Sequence, residues 1–175
     1  PLGDVPQEHN PVACYVRYFF LPEAMRGQRV LVRFEGAESC VAVWLNGHYV
    51  GFAADSFSPA EFELTPYLAE GENKLACRVY RWNIGSWLED QDFFRFSGLF
   101  RSVSLVCLPK AHVWDIRIQT LLDDAYTDAT LVLDTSLLLG QGAEGATLHA
   151  ALMDGKTVLA TAQGGGETQH FELTV

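Results

Sequence analysis

Asn46-Gly47 sits between two apolar runs, Val41–Leu45 and His48–Phe52. Asparagine and glycine both tolerate the positive φ angles of a type I′ turn, and the twist of that turn matches the strands it joins. The segment therefore predicts a β-hairpin, and its neighbours follow the same grammar. Cys14–Leu21 is β-branched and aromatic. In Gln28–Phe34, Val30, Val32 and Phe34 point one way, against Leu31 and Arg33. In Lys74–Arg81, Leu75, Cys77 and Val79 alternate with Ala76, Arg78 and Tyr80. Arg101–Leu108 sends Val103, Leu105 and Cys107 inward and Ser102 and Ser104 outward. Pro22–Met25 and Thr65–Leu68 read as single helical turns, and Pro1–Pro11 as an irregular lead-in. No amphipathic helix longer than two turns is visible, so the expected class is all-β, a sandwich.

Pro109-Lys110 marks a change of texture. Aromatics become rare beyond it, while Gly, Thr and Ala rise. His112–Thr120 (Trp114, Ile116 and Ile118 on one face), Thr130–Leu139 and Thr168–Val175 alternate, and Asp154-Gly155 joins Ala150–Met153 to Lys156–Ala160 as a second tight hairpin. Gly140–Gly145 and Gly164-Gly165-Gly166 read as loop tips. The expectation is two domains, 1–109, with its N-terminal part missing upstream, and 110–175. The second carries about five strands where an immunoglobulin-like sandwich needs about seven, so it is expected to be truncated.

The formal net charge of −10 argues against nucleic-acid partners and anionic membrane surfaces, which call for Lys/Arg patches. No apolar run is long enough to span a bilayer, so no membrane is expected. Cys14, Cys40, Cys77 and Cys107 stand far apart with no zinc-type spacing. They are expected to be free, buried thiols in a reducing compartment.

One stretch resists the plain sandwich reading. Gly85–Arg101 places Glu89, Asp90 and Asp92 between Trp87 and a run of phenylalanines. Aromatic faces beside fixed carboxylates suit a sugar, whose C–H face packs on a ring and whose hydroxyls donate to the acid. A surface loop with solvated acids and core-plugging aromatics is the alternative. Adjacent carboxylates in one loop rarely reach a glycosidic bond from opposite sides, so a complete acid and nucleophile pair is not expected here.

The segment W-L-E-D-Q-D-F-F-R-F-S-G-L-F-R resembles the one that closes the first domain of LacZ-type β-galactosidases, in glycoside hydrolase family 2. F-E-G-A-E-S-C-V-A-V-W-L-N-G-H-Y-V-G from Phe34, D-S-F-S-P-A-E-F-E-L-T from Asp55, G-E-N-K-L from Gly71 and N-P-V-A-C-Y from Asn10 are similar to that family in the same order. The matching stretches span about Val5 to Thr120.

The resemblance implies a jelly-roll-like, galactose-binding sandwich followed by part of an immunoglobulin-like one. It also implies that the chain is a non-catalytic fragment of a cytoplasmic, retaining β-galactosidase. The acid/base and nucleophile glutamates of the family lie in a later (β/α)₈ barrel. Its further implications are a β-galactoside substrate, the remaining domains of the same chain as partners, a homo-oligomeric parent, and sodium and magnesium as the parent's ions. Residue by residue it gives Asp92 the contact with galactose hydroxyls and a share in ligating sodium. Glu89, Asp90, Arg95 and Arg101 are then loop-ordering residues, held by charge-assisted bonds. Many members carry an aspartate of a peripheral magnesium site where this chain has Ile84, which cannot ligate a metal. Two other readings stay open: a stand-alone carbohydrate-binding module, and the equivalent domain of a β-glucuronidase or β-mannosidase.

Overall fold

The computed structural model describes residues 4–89 and 92–175. The chain divides into two compact units, Pro1–Leu108 and Pro109–Val175.

Among the described residues the first unit holds nine strands: β1 (Val12–Phe20), β2 (Arg29–Phe34), β3 (Ala37–Glu38), β4 (Cys40–Leu45), β5 (His48–Ala53), β6 (Ala60–Glu63), β7 (Glu72–Tyr80), β8 (Gly98–Leu99) and β9 (Val103–Leu108). They form a four-stranded sheet in the order β1-β7-β4-β5, a three-stranded sheet in the order β6-β2-β9, and the short pair β3-β8. All pairings are antiparallel. The result is the jelly-roll-like sandwich. Its core is the facing set Val32, Phe34, Val41, Val43, Leu45, Phe62, Leu64, Cys77 and Val79. Phe34 and Phe62 meet edge to face at 5.9 Å, a geometry that aromatic quadrupoles favour.

The Asn46-Gly47 hairpin joins β4 to β5 with φ of 52° and 86° at the two turn residues. Glu23–Met25 and Thr65–Tyr67 are single 3₁₀ turns. Ala60, Phe62 and Leu64 alternate with Glu61 and Glu63, the period of a half-buried strand, and β6 forms there. These acids face Arg33 and Arg29 of β2, with Arg33 Nε 2.6 Å from Glu61 and Arg29 Nη2 2.9 Å from Glu63. At the opposite edge the two sheets part around a mostly apolar cavity of about 520 Å³, bounded by β1 and β7 on one side and β2 and β9 on the other.

The second unit holds β10 (Ala111–Leu122), β11 (Ala129–Leu139), β12 (Thr147–Asp154), β13 (Thr157–Gly165) and β14 (Thr168–Thr174). Sheet β10-β11-β14 accompanies the hairpin β12-β13, so the unit is an immunoglobulin-like sandwich with fewer strands than the usual seven among the described residues. Val132, Leu137, Phe171 and Leu173 are its buried apolar residues.

Three expectations need correction. Gly164 and Gly165 belong to strand β13, not to a loop tip. A Cβ on Gly164 would meet the end of the Gln169 side chain, which would have to move aside. The β10–β11 register shifts between Val113 and Asp115, so Trp114 sits at a bulge and the alternation breaks there. Cys40 and Cys77 are buried, but Cys14 is exposed on edge strand β1 and Cys107 is half-buried. Among the described residues no helix is long and apolar enough to cross a membrane.

Candidate functional site

The stretch that follows β7 is built on buried polar anchors. Ile84–Trp87 is one 3₁₀ turn, capped by Asn83, whose side chain accepts the Gly85 N–H at 2.5 Å. The Asn83 N–H donates to Ser86 Oγ at 3.0 Å, and Asn83 Nδ2 donates to the Ser39 carbonyl at 2.8 Å. Asn83, Ser86 and Ser39 are all buried. Their bonds tie the start of the loop to the entry of β4, because an unpaired buried polar group would be costly.

Glu89 is fully engaged. Its Oε1 accepts the Ser56 N–H at 2.8 Å and its Oε2 accepts the Ser56 hydroxyl at 2.6 Å, and Ser56 is 0% exposed. Ser56 lies in a turn shaped by Asp55, which accepts the N–H groups of Phe57 (2.9 Å) and Ser58 (3.0 Å). The Ser58 N–H and hydroxyl, with the Phe57 N–H, hold the Asp55 carboxyl below its usual range. Arg95 Nη2 reaches back to the carbonyls of Glu89 (3.1 Å) and Ser86 (3.3 Å), and its guanidinium lies 5.5 Å from the Trp82 ring centre.

At the far end, the buried Glu38 accepts the Ser97 N–H at 2.8 Å. Ser97 and Gly98 both have positive φ, 61° and 80°, which turns the chain into β8. Arg101 Nη1 donates to the carbonyls of Phe57 (2.8 Å) and Glu35 (3.2 Å).

Between these anchors the surface is acidic and aromatic. Asp92 is exposed. Phe93, Phe94 and Phe96 are exposed beside it, Phe94 at 83%. Phe57 links Phe93 to Phe100 at centroid distances of 5.2 and 5.7 Å, and Phe96 stacks on Phe100 at 6.5 Å. Large apolar side chains left this open mark a contact surface for a ligand or another domain.

Of the residues singled out in the sequence, Glu89, Arg95 and Arg101 thus bond to neighbouring backbone or to Ser56, while Asp92 is exposed. Asp90 lies outside the described residues. Ser56, Glu38 and Asn83 were not singled out. Ser56 stands in the D-S-F-S motif, and its tie to Glu89 has no signature in the sequence. Of the two described carboxylates of the stretch, Glu89 is bonded to Ser56 and Asp92 is exposed. Among the described residues no three His, Cys, Asp or Glu side chains gather as a metal centre. The thiols do not offer a nucleophile in the core, since burial pushes Cys77 up to about 11 and also raises Cys40.

Residues 3–109 match the family model described as "Glycosyl hydrolases family 2, sugar binding domain". The chain is 48% identical to a β-galactosidase of Halalkalibacterium halodurans over 141 residues, 81% of this chain and 14% of that protein. It is 43% identical to the β-galactosidase large subunit of Lactobacillus helveticus, over 86% of this chain and 24% of that one. It thus spans only about a seventh to a quarter of the length of these relatives. Among solved structures it is similar to a β-glucuronidase of Bifidobacterium dentium (TM-score 0.71, 25% identity, 94% of this chain and 33% of that one). A second is β-glucuronidase 2 of Bacteroides uniformis (TM-score 0.74, 25% identity, 94% of this chain and 21% of that one).

Proposed function

The chain belongs to glycosyl hydrolase family 2, with that family's sugar-binding domain at residues 3–109, and on that premise we propose that it is the non-catalytic N-terminal part of a β-galactosidase. The parent enzyme removes terminal non-reducing β-D-galactose with retention. Its acid/base and nucleophile, about 5 Å apart as retention demands, sit in a barrel domain that these residues do not include. This part supplies the anchored loop. The observation that carries the reading is the contrast within that loop: Glu89, Arg95 and Arg101 are bonded to the sandwich, while Asp92 and its phenylalanines project from it.

In the parent, Asp92 accepts a galactose hydroxyl and gives sodium one hard oxygen ligand, with the other ligands on the remaining domains. The exposed carboxylate fits that part. The peripheral magnesium site of many relatives does not fit, because Ile84, 71% exposed, offers no donor atom. The partners are the other domains of the chain, in a homo-oligomeric, cytoplasmic enzyme. The β-glucuronidase likeness favours the same role on another sugar, but 43–48% identity to β-galactosidases against 25% to β-glucuronidases supports the galactoside.

The test pairs two measurements. The purified 175-residue chain should not turn over a chromogenic β-galactoside. In the full-length enzyme, Asp92→Asn should keep the fold, weaken sodium activation and lower kcat/KM roughly ten- to a hundred-fold, since a bond to a charged group is worth about 1.5–3 kcal/mol. A variant with unchanged kinetics and sodium dependence but a lower melting temperature would make Asp92 a structural residue.

A further inference from the structure

Both ends of the acidic, aromatic stretch are held by two adjacent buried residues, Glu38 (5% exposed) and Ser39 (1% exposed). At the entry, the Ser39 N–H and hydroxyl donate to the Tyr80 carbonyl at 2.9 and 3.1 Å. The Ser39 carbonyl accepts Asn83 Nδ2 at 2.8 Å. At the exit, Glu38 pairs with Gly98 across the β3-β8 ladder, and its carboxylate accepts the Ser97 N–H at 2.8 Å. Ser97, at φ 61°, occupies the left-handed region that L side chains avoid. A residue keeps such a conformation only where its surroundings dictate it. Beside it, the Tyr15 hydroxyl lies 2.6 Å from where a Cβ on Gly98 would stand, and it accepts the Leu99 N–H at 3.4 Å.

We propose that Glu38 is a positioning residue for Asp92 in the parent enzyme, a role that rests on the reading of Asp92 given above. Asp92 is exposed and lies between two anchors, Glu89 on Ser56 and Ser97 on Glu38. The path of the chain through Asp92 is set by where those two anchors sit. Glu38 fixes the second from within the core, where burial keeps water from taking its place. Without its carboxylate the Ser97 N–H loses its acceptor and the left-handed conformation loses its hold. A relaxed Ser97 re-aims the chain on its N-terminal side, and Asp92 moves with it. The tolerance for such movement is small, since a misplacement of about 1 Å can cost about a hundred-fold in rate. Glu38 therefore acts on the sugar through Ser97 and Asp92, without touching it.

The experiment measures kcat/KM and the sodium requirement of the full-length enzyme for Glu38→Ala and Glu38→Gln, each alone and combined with Asp92→Asn. Circular dichroism checks that each variant folds. Glu38→Ala should lower kcat/KM about ten-fold or more and raise the sodium requirement. Glu38→Gln keeps an oxygen that can accept the Ser97 N–H, and it should recover most of the loss. In the Asp92→Asn background, Glu38→Ala should cost less than about two-fold more, because a residue that works only through Asp92 has nothing left to position. A merely structural role would lower the melting temperature and multiply with Asp92→Asn. A folded Glu38→Ala with wild-type kinetics overturns the proposal. So does full additivity with Asp92→Asn, and so does a glutamine variant as damaged as alanine. If alanine does not fold, Glu38→Met, of similar size and without an oxygen acceptor, takes its place, and loss of the fold in both makes Glu38 structural. All these outcomes leave Asp92 in its role, whereas Asp92→Asn with unchanged kinetics and sodium dependence removes both readings.

Discussion

The two bonds between Glu89 and Ser56 make a quantitative forecast possible. Replacing Glu89 with alanine removes both acceptors from a serine with 0% exposure, leaving its N–H and hydroxyl without partners. A hydrogen bond to a charged group contributes about 1.5–3 kcal/mol, and stranding a buried donor costs about 1–3 kcal/mol. Glu89 itself is half-buried, so water reaches part of the gap, and the expected loss is about 2–3 kcal/mol, near the lower end of the sum. Glutamine should do far less harm. Its carbonyl oxygen can still accept the Ser56 N–H, and its amide can donate to Ser56 Oγ, which acts as donor or acceptor. Only the charge is lost, at about 1 kcal/mol. The assay is thermal melting followed by tryptophan fluorescence in a Trp114→Phe background. Trp44, Trp82 and Trp87 all lie in the first unit, so the signal reports that unit alone. At about 4 °C per kcal/mol for a domain near this size, alanine should lower the midpoint by roughly 8–12 °C and glutamine by about 4 °C. If the alanine variant melts with the wild type, the Ser56 tie does not order the loop. If glutamine is as damaging as alanine, the charge and not bond satisfaction carries the effect.

Two further outcomes follow from the second unit. His170 lies between Asp134, 2.5 Å from Nδ1, and Glu172, 3.5 Å from Nε2, and these carboxylates, Asp134 first, raise its pKa. A raised folded pKa means that the stabilisation is complete below the ordinary histidine value of about 6.5 and disappears as pH climbs through the folded value. Melting of this unit should therefore fall slightly over that window and fall less in Asp134→Asn, where Glu172 alone remains, and an NMR titration placing His170 at or below the ordinary value would refute the assignment. Hydrogen exchange should be slowest in β4, where every residue but Trp44 is buried, and faster in β12 and β13, where none is; equal protection in the two regions would contradict the burial argument.

The strands that sequence reveals best are those in which pattern and environment agree. Asn46-Gly47 gives its hairpin because the turn chemistry and the apolar runs on both sides say the same thing. Strand β6 carries the alternation of Ala60, Phe62 and Leu64 with Glu61 and Glu63, but no local period records that those acids pair with arginines on the neighbouring strand. Gly164 and Gly165 look like loop residues because glycine is common in turns, yet their pairing with Leu148 and Thr147, across the hairpin, puts them in a strand. The same limit applies at the site. That the stretch from Gly85 combines acids with rings is plain in the sequence, and the family motif singles out Asp92. That Glu89 closes on Ser56, 33 residues earlier, and that Ser97 hangs from Glu38, 59 residues earlier, are facts of three-dimensional packing.

Asn46 does more than permit a tight turn. Its amide donates to the Tyr67 carbonyl at 2.9 Å and to Asn73 Oδ1 at 2.8 Å, and its oxygen accepts the Lys74 N–H at 2.8 Å. Asn73, wholly buried, passes the chain of bonds on to Ala69 and Gly71. The tip of one hairpin is thereby a keystone for two other loops. Aspartate would serve the turn itself about as well, yet it would set a carboxylate against two oxygens that need a donor. Anyone grafting a new hairpin loop onto this scaffold must therefore transplant three segments together, because the interchangeability of short turn sequences ends where one of them also rivets its surroundings.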